Sequence, residues 1–429
     1  MSEPNSDSKS TGERDAEMDP TSDQNEKGVS HDVSSSLPLE WTKLGGENLN
    51  QVKGRDIRYP SDCMDYSNDP QETYLEIIGT AGLKITNMGK DLSKTCSPNL
   101  THLIFRSHLI SKMEGIKGFQ KLELLELYDN QIEYLEELGD DESEERNMGE
   151  SLKTLDMSYN VIRSMEPVKY CPNLTELYLA NNKLKSLQGL QNLTSLRKID
   201  LGANRIRIMD ADELSGLINL EELWLGKNKI EKIQGLENLK KLRRLDIQSN
   251  RLTSIENLTS QVDSLQELYL AHNGIDDDGA MQATGLGLKF TELTTLDLSK
   301  NRITTCTPFA HLITINELWL SSNSIATFQD IEPISVLGTR DGACLTEVYM
   351  EYNPIYEDFE YRKKLKELIP SLIQIDANVI GATGHGSAIA RTMTPEAKLQ
   401  QMKILQEKVL ERAKKEKEEK ETSIEEKES

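Results

Sequence analysis

A single pattern of apolar and polar residues repeats along most of this chain. Its clearest copy runs from Leu174 to Leu184 and has the form L-x-x-L-x-L-x-x-N-x-L. Apolar and polar positions alternate through Leu177 and Leu179, which is typical of a strand with one buried face. An asparagine then marks a turn. Ten copies carry this asparagine, at Asn130, Asn160, Asn182, Asn204, Asn228, Asn250, Asn273, Asn301, Asn323 and Asn353.

The spacing of these asparagines defines the length of the repeat. The commonest interval is 22 residues, and the longer intervals contain insertions. A coil of this length cannot bury its apolar edge alone, so it must stack on its neighbours. We therefore predict an α/β leucine-rich-repeat solenoid with a parallel concave β-sheet, short helical or irregular convex segments and a helical C-terminal cap. A weaker copy from Leu100 to Ile110 has His108 in place of the asparagine, and we expect this histidine to be structural.

Composition divides the chain around the repeats. Tyr361, Leu365 and Leu368 lie at helical spacing before Pro370, which predicts the helix of the C-terminal cap. An acidic insertion at 139–147 is expected to be a solvated loop. The predicted organisation is a disordered acidic region over 1–70, an N-terminal capping segment over 71–98, leucine-rich repeats over 99–353, the C-terminal cap over 354–378, a Gly-rich linker over 379–394 and a charged helical or disordered tail over 395–429.

The charge of the chain narrows the class of partner. There are 50 Lys and Arg residues against 72 Asp and Glu residues, a formal net charge of −22. Nucleic acid is a poor partner for such a chain, because contacts to phosphate need cations. The 5 cysteines are an odd number without paired spacing, which favours a reduced compartment. No apolar stretch is long enough to span a membrane, so no membrane segment is expected.

The chain shows no pattern that is typical of an enzyme. The 6 histidines are scattered, no two cysteines form a CxxC pair, and no phosphate-binding glycine loop follows a strand. We therefore expect no catalytic residues, no metal and no cofactor. Function is expected in the polar positions of the strands, since the leucines and asparagines have structural roles.

One outward-facing position of each strand carries the candidate binding site. It lies between the second and third apolar residues and points away from the core, because side chains alternate across a strand. Clustered aromatic residues ringed by charge are typical of protein-binding hot spots, although sheet faces also favour aromatic residues for structural reasons. The neighbouring column, two residues earlier in each strand, includes Glu317. The first column, here called the sheet-face column, holds Glu126, Asp156, Tyr178, Asp200, Trp224, Asp246, Tyr269, Asp297, Trp319 and Tyr349.

The repeats and the cap resemble the leucine-rich-repeat regulatory subunit of type 1 protein phosphatase. The resemblance is carried by the turns at Leu225–Ile230 and Gln248–Leu252, by the stretch Leu268–Ile275 and by the cap sequences at 361–364 and 373–377. It covers roughly residues 100 to 377. Within it Tyr178, Asp200 and Trp224 replace residues of the same class that are common in the family.

The resemblance implies a function and a set of contact residues. It implies a non-catalytic subunit, monomeric before complex formation, whose concave face binds the phosphatase catalytic subunit. It also implies regulation of phosphatase activity in mitosis and in the nucleus. We expect the chain in the nucleus and the cytoplasm. The contact residues that it implies are Asp156, Tyr178, Asp200, Trp224, Asp297, Glu317, Trp319 and Tyr349, to which the sheet-face column adds Asp246 and Tyr269.

Two other functions stay open at this point. The chain could be a repeat adaptor of another complex, such as a splicing particle or an axonemal scaffold. It could also be an acidic nuclear chaperone of basic proteins, in which case binding would lie in the charged regions 1–70 and 379–429.

Overall fold

The computed structural model describes residues 58–63, 71–141, 147–339 and 344–380. The chain divides into two units, 1–52 and 53–429, and all described residues belong to the second. Most of the predicted disordered region over 1–70, most of the linker and all of the charged tail lie outside the described residues.

The described repeats build one 14-stranded sheet whose strands follow each other in chain order. Strands β1 to β13 pair in parallel, and β14 turns back antiparallel to β13. The strands are β1 (Tyr74–Ile78), β2 (His102–Arg106), β3 (Leu124–Glu126), β4 (Thr154–Asp156), β5 (Glu176–Tyr178), β6 (Lys198–Asp200), β7 (Glu222–Trp224), β8 (Arg244–Asp246), β9 (Glu267–Tyr269), β10 (Thr295–Asp297), β11 (Glu317–Trp319), β12 (Glu347–Tyr349), β13 (Gln374–Ile375) and β14 (Asn378–Val379).

The segments that return from one strand to the next are short and mostly irregular. Several contain a single 3-10 turn, as at Glu166–Tyr170 and Thr307–Phe309. The longest helix belongs to the C-terminal cap, as expected. The helices are α1 (Leu92–Thr95), α2 (Ala211–Leu214), α3 (Asp277–Ala280), α4 (Phe328–Ile331), α5 (Val336–Thr339) and α6 (Tyr361–Leu368).

The core lies behind the sheet and runs along the stacked coils. In each three-residue strand the middle side chain is buried, as for Leu177, Ile199 and Leu223. The apolar residues of the return segments, such as Leu187 and Leu190, meet them in one continuous cluster. The predicted phase of the repeat and the leucine-rich-repeat solenoid are confirmed.

The repeat asparagines join each coil to the one before it. Asn204 Nδ2 donates to the carbonyl oxygens of Leu179 at 2.9 Å and Leu201 at 3.0 Å, and its Oδ1 accepts from the Leu184 amide at 3.0 Å. The preceding residue, Ala203, has a left-handed φ of 53° that turns the chain out of the strand. The asparagine thus satisfies buried backbone groups that the bend leaves without partners.

His108 performs the same task in the first complete repeat. Its Nδ1 accepts from the Ile85 amide at 3.1 Å, so its Nε2 carries the proton and donates to the Ile77 carbonyl at 2.9 Å. The ring is buried, with 3% of its surface exposed. Burial lowers the pKa of His108 and favours the neutral imidazole that these two bonds require. The expectation of a structural histidine is confirmed.

The two ends of the sheet are covered differently. At the start, β1 belongs to the segment over 71–98 and pairs with β2 as a full parallel strand. At the end, α6 buries Tyr361 and Leu365 against the last coil. In the acidic insertion, residues 142–146 lie outside the described residues. The residues on either side of this gap are hydrogen-bonded to each other: the Asp140 amide donates to Asn147 Oδ1 at 3.1 Å.

Candidate protein-binding face

The fold brings the predicted contact residues together on the side of the sheet opposite the core, here called the sheet face. Neighbouring strands pair Asp156 with Tyr178 and Tyr178 with Asp200, and the register continues without a slip to Tyr349. All ten residues of the sheet-face column therefore form one row across β3 to β12. Glu317 lies in the adjacent row of the same face, paired in register with Thr295 and Glu347.

The aromatic side chains of the column are more sheltered than an exposed cluster would be. Tyr178, Trp224, Tyr269, Trp319 and Tyr349 are all partly buried. Adjacent strands lie only about 4.8 Å apart, so neighbouring side chains shield one another. The rings of Trp319 and Tyr349 show this directly, with centroids 4.8 Å apart. Each ring therefore leaves only part of its surface for a partner.

The aspartates of the column have a structural role that the sequence did not reveal. Each accepts a hydrogen bond from the backbone amide two residues later, where the strand ends. In this way they hold the start of the turn and keep their carboxylates close to the sheet. The four bonds are Ser158 N to Asp156 Oδ1 at 2.8 Å, Gly202 N to Asp200 Oδ1 at 2.8 Å, Gln248 N to Asp246 Oδ1 at 3.0 Å and Ser299 N to Asp297 Oδ1 at 2.8 Å.

Burial changes the acidity of these aspartates. Loss of solvent raises the pKa of Asp156 to about 6 and that of Asp246 to about 6, against the bonds from the backbone amides, which lower both values. Burial also raises the pKa of Asp297. The column is therefore negatively charged at neutral pH and begins to lose charge at mildly acidic pH.

The tyrosines of the column are fixed by a glutamate on their own strand. The Tyr269 hydroxyl donates to Glu267 at 2.9 Å. In the same way Tyr178 donates to Glu176 at 3.1 Å, and Tyr349 donates to Glu347 at 3.2 Å. Burial and the nearby glutamate raise the pKa of each tyrosine. The sequence motif Glu-x-Tyr recurs in three strands and could have predicted these pairs.

Cations on the sheet face are confined to part of it. Arg244 donates to Glu267 at 2.7 Å, and its guanidinium lies 5.6 Å from the ring centre of Trp224 and 4.7 Å from that of Tyr269. Lys198 lies 3.9 Å from Glu222. In strands β10 to β12, the two rows carry Thr295, three acids and two aromatic residues but no Lys or Arg. Strands β4 and β5 also carry no Lys or Arg in these rows, so the cations of the two rows lie on β6 and β8, and the surroundings of Trp319 are acidic.

The described residues contain neither a cluster of metal-ligating side chains nor a disulfide. No group of three or more His, Cys, Asp or Glu side chains among them is arranged to hold a metal ion. All five cysteines are free thiols. Within the same part of the chain, no helix has the length and apolar character needed to cross a membrane.

Comparison with known proteins agrees with this architecture. The family described as Leucine Rich repeats (2 copies) matches overlapping segments between residues 150 and 283, and the family described as Leucine Rich repeat matches 291–305. An Arabidopsis thaliana protein described as "Protein phosphatase 1 regulatory inhibitor subunit PPP1R7 homolog" is 33% identical over 112 residues. The chain is a leucine-rich-repeat protein related to this phosphatase 1 regulatory subunit.

The sequence relation covers part of each protein. The alignment with the phosphatase regulatory subunit homolog spans 26% of this chain and 32% of that relative. A second relative, the "187-kDa microtubule-associated protein AIR9" of Arabidopsis thaliana, is 25% identical over 181 residues, which are 41% of this chain and 8% of that protein. The chain thus spans no more than about a third of the length of either relative.

Solved structures confirm the fold. A leucine-rich-repeat protein of Leptospira interrogans has a TM-score of 0.57 at 25% identity, over 69% of this chain and 70% of that one. The APL1 leucine-rich repeat domain has a TM-score of 0.51 at 20% identity, over 74% of this chain and 75% of that one. Repeat domains of this kind present their sheet to protein partners, so the comparisons favour a protein-binding role.

Proposed function

We propose that this chain is a non-catalytic regulatory subunit that binds the catalytic subunit of a type 1 protein phosphatase through the sheet face. Binding would alter the activity, stability or location of the phosphatase. The observation that carries the proposal is the unbroken row of acids and aromatic residues from Asp156 to Tyr349. The sequence relation to a phosphatase 1 regulatory subunit supports the choice of partner.

The chemistry of the sheet face suits a folded protein better than a small molecule. A row that crosses nine strands spans roughly 40 Å at the usual strand spacing. That length matches a standard protein interface and exceeds any single small ligand. Partly buried aromatic side chains that are held in place lose little freedom on binding, which is a property of interface anchors.

The distribution of charge indicates the character of the contacting surface. Glu317 and Asp297 border Trp319 where the two rows carry no cation. A partner surface with lysines or arginines beside an apolar patch would complement this end of the face. We propose that the aromatic pair Trp319 and Tyr349 anchors this end of the contact, with acids around it.

The oligomeric state and the cellular location belong to the same proposal. We propose that the chain is a monomer before it meets the phosphatase and that it acts in the nucleus and the cytoplasm. The five free thiols support a reducing compartment. Neither a cofactor nor a metal takes part in the proposed binding.

Direct binding tests this function. The full chain is mixed with purified phosphatase catalytic subunit, and the mass of the complex is measured by size-exclusion chromatography with light scattering. We expect a one-to-one complex. The variant Glu317→Lys should weaken it, whereas Glu292→Lys, an exposed residue in a return segment with the same change of charge, should not. A failure of the wild-type chain to form any complex would refute the proposal.

A repeat adaptor of another complex is the second candidate. It is favoured by the similarity to a microtubule-associated protein over 41% of this chain. Affinity purification of the tagged full chain, followed by mass spectrometry, separates the two. A phosphatase catalytic subunit as the major partner supports the first proposal, and a scaffold protein without phosphatase supports the second. A partner lost on deletion of 1–70 and 379–429 would support the chaperone of basic proteins instead.

A further inference from the structure

A row of cations lies along the edge where the strands end and the turns begin. It consists of the residue that follows the asparagine in successive coils. The backbone amide of each donates to a carbonyl of the preceding coil, for example Arg205 N to Leu184 O at 2.8 Å and Arg302 N to Ile275 O at 2.8 Å. These bonds stack the positions one coil apart. We call this row the basic ladder: Lys183, Arg205, Lys229, Arg251 and Arg302.

The basic ladder has little internal compensation. Arg251 lies 3.6 Å from Glu231, but both side chains are more than half exposed, at 54% and 68%, so this ion pair is weak. The other four ladder residues form no ion pair with another described residue. Like charges held one coil apart repel each other. In a chain of net charge −22, a row of this kind favours an anionic ligand rather than a structural role.

The ladder is interrupted by a glycine, and the gap forms a recess. Gly274 stands in the coil between Arg251 and Arg302, whose positions are therefore about 10 Å apart, twice the strand spacing. The recess has a volume of about 410 Å³ and is lined by both arginines, His272 and Ser249. The Arg302 guanidinium carbon lies 3.9 Å from where a Cβ on Gly274 would be, so this side chain extends over the gap.

The polar groups of the recess are of types that bind phosphoryl groups in other proteins. Ser249 Oγ and His272 Nδ1 lie 3.2 Å apart. Beside them are two guanidinium groups, each a planar fork of donors that matches phosphate geometry. We propose that this recess binds the phosphoryl group of a phosphorylated peptide segment of a partner protein, with the rest of the basic ladder contacting acidic residues beside it. The recess lies on the turn edge, outside both rows of the sheet face, so this inference does not depend on the phosphatase proposal.

Fluorescence anisotropy with the full chain tests the proposal. The probe is a fluorescein-labelled peptide with one phosphoserine flanked by Asp and Glu, compared with the same peptide carrying serine. We expect the phosphorylated peptide to bind at least about tenfold more tightly. Arg302→Glu should remove most of this preference, and Arg302→Lys should reduce it, because a lysine cannot form the bidentate contact. Lys289→Glu is the matched control, since Lys289 is exposed, lies off the ladder and undergoes the same change of charge.

Three results would overturn the proposal. The first is equal binding of the phosphorylated and unphosphorylated peptides. The second is an equal loss in Lys289→Glu and Arg302→Glu while both variants melt like the wild type, which would indicate unspecific charge attraction. The third is tighter binding of a single-stranded oligonucleotide with the same charge as the phosphopeptide, which would assign the ladder to nucleic acid.

Discussion

Arg244 on β8 donates a hydrogen bond to Glu267 on β9 at 2.7 Å, and this bond connects two strands that carry proposed contact residues. The same guanidinium lies near the rings of Trp224 and Tyr269. We therefore expect Arg244→Ala to loosen both rings and weaken phosphatase binding by about tenfold. Stability should fall by about 1 kcal/mol or less, because the pair is partly exposed. Calorimetric titration and a melting curve measure the two effects, and unchanged affinity would show that Arg244 does not position the site.

The buried leucine of a central strand should contribute to stability without affecting binding directly. Leu201 is fully buried behind β6 and belongs to the continuous core. We predict that Leu201→Ala lowers the free energy of unfolding by about 2–5 kcal/mol, the range for a buried leucine. Ile208→Ala is the control, since that side chain is 62% exposed. Equal urea midpoints for the two variants would contradict the assigned core.

His108 should be replaceable by asparagine. Asparagine can accept from Ile85 and donate to Ile77, as its counterparts do in later coils, whereas alanine leaves both backbone groups unsatisfied. We expect His108→Ala to cost about 1–3 kcal/mol. His108→Asn should cost clearly less, and urea unfolding of the two variants measures the difference. Equal losses would mean that ring packing, rather than hydrogen bonding, determines this position.

The same residue should make stability depend on pH in a defined direction. Burial lowers the pKa of His108, so the folded state binds its proton less readily than the unfolded chain, whose histidine pKa is about 6.5. The contribution of His108 to the free energy of unfolding is therefore complete above about pH 6.5 and is lost as the pH falls below that value. As the pH falls from 7.5 to 5, the wild type should lose this stability and His108→Asn should not. The stability of His108→Asn relative to the wild type should therefore rise on acidification. A difference that stays constant over this range would contradict a buried neutral histidine.

Asp246 should have the opposite effect on acidification. Burial raises the pKa of this carboxyl to about 6, above the unfolded value of about 3.9. The folded state therefore takes up the proton first, and this group adds stability as the pH falls from about 6 towards 4. Asp246→Asn should remove that gain while its side-chain oxygen still accepts from the Gln248 amide. Urea unfolding at pH 7.5 and pH 5 measures it, and an identical pH response of variant and wild type would refute the assignment.

The repeat was predictable because its leucines and asparagines recur in phase, and each has one physical role. The same reasoning placed the row from Asp156 to Tyr349 on one face, since strand alternation alone determines the side. Other features depend on contacts between coils. The bonds from Ser158 to Asp156 and from Tyr269 to Glu267, and the partial burial of Trp319, follow from how neighbouring side chains pack. A position on a face can be read from one strand, but its burial and its partners cannot.

The start of the sheet shows a second limit of sequence reasoning. The segment over 71–98 lacks the repeat asparagine, so the sequence predicted only a capping segment there. Its strand β1 nevertheless continues the parallel register, because Leu75 and Ile77 supply the alternating buried positions and His108 replaces the asparagine contact. Ile78, an apolar residue of this segment, is 49% exposed at the end of β1. Buried residues at alternate positions are enough to form a strand, so this degenerate repeat was sufficient to form β1.

The two tryptophans of the sheet-face column test the central claim most directly. Trp224 and Trp319 are partly buried and lie four coils apart in one row. The measurement is a calorimetric titration of purified phosphatase catalytic subunit against the full chain and the variants Trp224→Ala, Trp319→Ala and Lys232→Ala. Each tryptophan variant should weaken binding by about 2 kcal/mol or more, near thirtyfold, while remaining folded. Lys232→Ala, off the column beside Glu256, should bind like the wild type. Wild-type affinity in both tryptophan variants would contradict the proposed role of the sheet face.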